Sequence, residues 1–122
     1  MSKKFQPSER MNKARKQYKK EFKKLKKELI KRAKNIKLWD YFYFNAVVFQ
    51  LIRLFYSYYS KPDLLYQAKD DNYKTYMKAL TRCKEIVDTL EPDIGCLDYT
   101  EETKLLPELY NLIGKYIQYW WD

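Results

Sequence analysis

No histidine occurs among the 122 residues, glycine occurs twice, proline four times and cysteine twice. Each shortage excludes something. Without histidine, the commonest general base and transition-metal ligand is missing. So few glycines and prolines leave little material for tight hairpins, which favours helices. No glycine-rich phosphate loop can be built, and Ser2, Ser8, Ser57 and Ser60 all lack a Gly-x-Ser-x-Gly context. Cys83 and Cys96 stand 13 residues apart, which fits neither a metal site nor a Cys-x-x-Cys redox pair. With lysines rather than a signal peptide following Met1, they read as unpaired thiols of a reduced, intracellular protein. The acids Asp88, Glu91, Asp93, Asp98, Glu101 and Glu102 do not follow calcium-loop spacing. The sequence therefore predicts no enzyme, no cofactor and no metal site.

What is present is greasy, aromatic and basic. Hydrophobic residues make up 46% and aromatics 18%, enough for one domain to close a core without disulfides. The formal charge of +9 is unevenly spread. Residues 1–38 hold 16 Lys/Arg against Glu9, Glu21 and Glu28, a net of +13, whereas residues 39–122 hold nine against 13 acids, a net of −4. A basic arm on a mildly acidic body marks an interaction surface.

That arm contains "KARKQYKKEFKKLKKELIKRAK", residues 13–34. With Ser8 as N-cap after Pro7, its larger apolar residues form two seven-residue rows: Met11, Tyr18, Leu25 and Phe22, Leu29, Ile36. This is the 3.5-residue period of a helix-pairing seam, with the first row at d and the second at a. Lys13, Lys20, Lys27 and Lys34 then fall at f, Lys16, Lys23 and Lys37 at b, and Lys24 and Lys31 at c. Glu21 and Glu28 fall at g, beside the seam, within reach of Lys19- or Lys26-type e residues on a neighbouring helix. The seam, centred on Tyr18, Phe22, Leu25 and Leu29, is expected to pack on the body beside the 73–90 helix or to pair with a second copy as a homodimer.

Residues 38–60, "LWDYFYFNAVVFQLIRLFYSYYS", carry ten aromatics. Gln50, Arg53, Ser57 and Ser60 recur at three and four, so the segment reads as a helix buried on most sides with a narrow polar stripe. Its length suits a membrane span, but Asn45, Gln50 and Arg53 lie in its middle. A central Arg alone costs about 2.5 to 3.5 kcal/mol on insertion, which argues against a span.

Beyond the break at Lys61-Pro62-Asp63, Asp70-Asp71-Asn72 signals another helix start. Tyr73, Tyr76, Met77, Leu80, Cys83, Ile86, Val87 and Leu90 give that helix one apolar face, and Pro92 stops it. Asp98 with Glu101 has capping-box spacing. A final helix over roughly 104–121 turns Leu106, Leu109, Tyr110, Ile113, Tyr116, Ile117 and Trp120 inward. Pro107 lies in its first turn or kinks it. Gly114 in its middle predicts a close helix crossing, and Trp120 is expected to staple the end to the body. No period-2 strand is found. The fold class is all-α: a long basic N-terminal helix (1–37) plus a compact, aromatic-rich bundle of about three helices (38–122).

The lysines carry the functional reading. Lys20–Lys24, Lys23–Lys27 and Lys27–Lys31 are like-charged i,i+4 pairs, each repelling by a few tenths of a kcal/mol. An anionic partner would relieve that repulsion. Lysine dominates over arginine, which suits phosphate contact better than bidentate base reading. The candidate anion-binding residues are Lys13, Lys16, Lys20, Lys23, Lys24, Lys27, Lys31 and Lys34. The partner so implied is nucleic acid or a nucleoprotein complex, bound with little sequence preference and strong salt dependence. A host protein surface is the alternative, with the chain an inhibitor docking through the same helix. A sponge for nucleotide signals is a third reading. Binding to an anionic membrane is disfavoured, because the seam residues suit another helix.

The stretches "LWDYFYF", "YKTYMKALTRCKEIVDTL" and "LYNLIGKYIQYWWD", taken in order over residues 38–122, resemble small all-helical accessory proteins of tailed bacteriophages. The resemblance implies a virus-encoded accessory protein in the host cytoplasm, with counter-defence among the roles such proteins take. It carries over no site residue.

Overall fold

Four amphipathic segments become four helices. The first, α1 (Glu9–Lys34), has Glu9 in its first turn and Lys31, Arg32 and Lys34 in its last, the charges that the backbone dipole favours at each end. After it come α2 (Tyr41–Tyr59), α3 (Tyr73–Leu90) and α4 (Tyr99–Tyr116), the last running into a 3-10 turn over Ile117–Tyr119. The computed structural model describes residues 9–35, 41–62, 65, 68, 70–91 and 99–120, and among these the chain is all-α, without a strand. Ser8, Ile36, Lys37, Cys96, Asp98 and Trp121 lie outside the described residues, as do the side chains of Met11 and Glu101.

Each helix packs chiefly on the next in sequence: α1 on α2, α2 on α3 and α3 on α4. The core is centred on α3, whose Leu80, Cys83, Ile86, Val87 and Leu90 are buried as their spacing predicts. Phe49, Ile52 and Tyr59 meet them from α2, and Leu109 from α4. Asp70 starts α3 by accepting the Asn72 N–H on its carboxylate at 2.8 Å and the Tyr73 N–H on its carbonyl at 3.0 Å. Burial pushes the Cys83 thiol up to about 12, so it packs as an apolar group.

The C-terminal end is tied down by aromatic residues with a polar handle. Trp120 is buried, and its indole N–H donates to the Tyr76 carbonyl at 2.9 Å. Tyr119 stacks on Tyr76 with ring centroids 4.6 Å apart, and the Tyr59 hydroxyl donates to the Tyr119 carbonyl at 3.3 Å. The stapling expected of Trp120 is thus seen.

Three expectations are corrected. The final helix starts at Tyr99 rather than near 104, so Pro107 lies well inside it, on an exposed side. Gly114 marks no close crossing, since a Cβ built there meets nothing within 4 Å. The seam of α1 does pack on the body, but against α2 rather than beside α3. Among the described residues no helix is long and apolar enough to cross a membrane, and no three or more His, Cys, Asp or Glu side chains cluster so as to hold a metal ion.

Candidate functional site

The polar stripe of α2 explains how α1 is held. Gln50 is buried and donates from its side-chain amide to the Leu25 carbonyl at 3.1 Å. Two turns further on, the Ser57 hydroxyl donates to the Glu21 carboxylate, which also pairs with Lys61 at 2.9 Å. Burial raises the Glu21 carboxyl, but the hydrogen bonds from Ser57 and Lys61 outweigh it and leave it below its ordinary value. The stripe that the sequence marks as polar therefore faces a neighbour, not water. The g-position acids do flank the seam, but their partners are within the chain: Lys61 for Glu21, and Arg32, one turn along, for Glu28.

A second clamp sits at the far end of α1. The Arg32 guanidinium reaches the Glu28 carboxylate at 2.9 Å, the Ala46 carbonyl of α2 at 2.8 Å, and the Glu91 carboxylate at the end of α3. Glu91 is shared with Arg53, which also reaches Asp88 at 3.1 Å, and Asp88 holds Lys84 at 2.6 Å. This chain of alternating charges joins α1, α2 and α3. Burial opposes the charge on Arg32, but Glu28 and Glu91 more than offset it, raising its pKa. The two acids that sequence reading considered as metal ligands and the structure describes, Asp88 and Glu91, are thus engaged by arginines.

With one side of α1 committed to α2, the opposite side is basic. Lys13, Lys16, Lys20, Lys23, Lys24, Lys27, Lys31 and Lys34 are all exposed, and none forms an ion pair with a described acid. At 3.6 residues per turn they fall within an arc of about 100° and run along about 32 Å of helix. Glu21, Glu28 and Arg32 lie outside that arc, toward α2. Among the described residues the one acid whose charge the face feels is Glu28, through Lys31, and the two form no ion pair.

Between these two sides the seam is only partly used. Tyr18 is buried, its ring 5.3 Å from that of Tyr58 and covered by the Lys61 ammonium at 5.0 Å. Leu25 and Leu29 are half-buried, and Phe22 remains 40% exposed. Next to Phe22, α1 and α2 leave an open groove of about 590 Å3. Its floor is Tyr18, Phe22, Leu51, Leu54, Phe55 and Tyr58, and its rim is Arg15 and Lys19. Sequence reading did not anticipate this groove, because half of its lining comes from a helix whose orientation toward α1 was open. Phe22 carried no sign of it in the sequence, where its spacing places it at the centre of the seam.

The arrangement offers a row of regularly spaced cations beside an apolar, ring-lined trough. No protein-family model, curated protein or solved structure matches the chain.

Proposed function

We propose that the chain is a non-enzymatic binding protein that grips nucleic-acid backbone, or a complex containing nucleic acid, through the lysine face of α1. One observation carries the reading: eight exposed lysines share one side of a helix, and no described acid pairs with them. Such a face repels itself, and a polyanion is the partner that removes the repulsion along its whole length. Its span of about 32 Å is close to one turn of duplex, about 34 Å, so several phosphates can be engaged at once. Point-like ammonium groups follow phosphates without reading bases, so binding is sequence-tolerant. In this reading the bacteriophage resemblance makes the chain a virus-encoded accessory protein acting in the host cytoplasm.

The test is fluorescence anisotropy of labelled DNA and RNA oligonucleotides across a salt series. The expected result is affinity that falls steeply with salt, by about 0.9 log units per log unit for each duplex phosphate contacted. Changing Lys20, Lys23, Lys24, Lys27 and Lys31 to Gln should abolish binding at moderate salt. It should also flatten the slope by about one for each lysine that meets a phosphate. Absence of binding at low salt would retire the reading. A protein partner bound with little salt dependence would replace it by the inhibitor reading.

A further inference from the structure

We infer that the groove between α1 and α2 receives the bases of a single strand, so that the lysine face binds unpaired nucleic acid in preference to duplex. The inference rests on the backbone-binding reading and narrows its substrate class. Lys19, Phe22, Lys23 and Lys26 stand at i, i+3, i+4 and i+7, one row along α1. The exposed ring of Phe22 is therefore flanked by ammonium groups, with that of Lys26 5.9 Å from its centroid. A strand laid along the lysines places its phosphates on one side of this row and its bases over the groove on the other. There Phe22 offers a ring to stack on, with Tyr18, Phe55 and Tyr58 behind it. Among the described residues no acidic side chain lines the groove. A duplex cannot use this floor, because its base faces are already stacked against each other.

Charge and length choose among occupants. A second copy would bring together two chains of charge +9. An acidic amphipathic helix would meet Arg15 and Lys19 at the rim, but the cations continue past the groove to Lys34. A regularly charged strand makes use of that whole row, and a helix lying in the groove does not.

The experiment compares a labelled thymidine oligomer with a duplex of equal length, using the native chain and the variants Phe22→Leu and Phe22→Tyr. Because Phe22 is 40% exposed, both substitutions leave the core intact, and helicity by circular dichroism checks this. The expected result is tighter binding of the oligomer than of the duplex by the native chain. Phe22→Leu should weaken oligomer binding about five-fold or more while duplex affinity and both salt slopes stay unchanged, and Phe22→Tyr should retain it. An unchanged Phe22→Leu affinity, or equal binding of the two DNAs, would overturn the stacking site and leave the backbone reading standing. Binding at low salt to neither DNA, nor to an RNA oligomer of the same length, would overturn both. So would binding to neither DNA together with capture of a Leu/Glu amphipathic peptide that Phe22→Lys abolishes, which would make the groove a protein-docking site.

Discussion

At the scale of single residues, two positions show how far chemistry alone misleads or informs. Gly114 is the clearer case. A glycine within a helix costs about 1 kcal/mol against alanine, and its usual compensation is a close neighbour that a side chain would strike. Here the space is open and the residue is exposed, so the cost stands without that compensation. Gly114→Ala should therefore stabilise the protein by up to about 1 kcal/mol, read as a higher midpoint in urea unfolding. A lower midpoint would show that the glycine has a neighbour after all. Arg32 is the opposite case, a surface-type residue that has become structural. Its side chain keeps only 18% exposure and serves two carboxylates and a carbonyl at once. Arg32→Ala should cost about 1 to 3 kcal/mol in the same assay. Arg32→Lys should recover only part, since one ammonium cannot reproduce the fork. Equal stability of Arg32→Ala and the native chain would make the clamp ornamental.

At the scale of elements, α2 does most of the organising. Its Phe49, Ile52 and Tyr59 enter the core, while Ala46, Gln50 and Ser57 present backbone and polar atoms to α1 and Arg53 reaches the C-terminal end of α3. Two kinds of surface on one helix let it join a hydrophobic bundle to a helix as polar as α1. The docking is half ionic, and that has a consequence for α1. Loss of the Glu21 charge removes the Lys61 pair and leaves the Ser57 hydroxyl a neutral, weaker acceptor, so Glu21→Gln should loosen α1 while leaving α3 and α4 packed. Faster amide exchange confined to residues 9–34 is the expected observation; uniform change across all helices would mean that the four helices open as one unit.

At the scale of the whole molecule, the same carboxylates set the response to acid. Hydrogen bonds from Arg32 and Arg82 hold Glu28 and Glu108 below their ordinary value of 4.5. Glu21 and Asp88 are also held low, their lysine, arginine and hydroxyl partners overcoming burial. A carboxylate depressed in the folded chain contributes stability above its unfolded pKa and loses it as pH falls through its folded one. Melting temperature should therefore be steady from pH 7 to 5 and fall below about 4.5, where these acids begin to protonate. Net charge rises over the same interval from +9 as the 16 acids are neutralised, and self-repulsion adds to the loss. A melting temperature unchanged down to pH 3 would contradict the role given to these pairs.

The amino-acid sequence by itself determined what depends on near neighbours along the chain. Helical periodicity, the buried face of 73–90, the start at Asp70-Asp71-Asn72 and the one-sided lysines all follow from spacings of three, four and seven. Those spacings are fixed once the backbone coils. Tertiary structure alone decided which helix takes the seam of α1, that Gln50 would cap the Leu25 carbonyl 25 residues away, and that Arg32, Arg53 and Glu91 would share charge. It also decided that Gly114 faces open space and that Phe22 borders a groove. Each of these is a relation between segments far apart in sequence, set by the angle and register at which helices pack. No local period encodes that angle, because the same apolar stripe can be buried against several partners at similar cost.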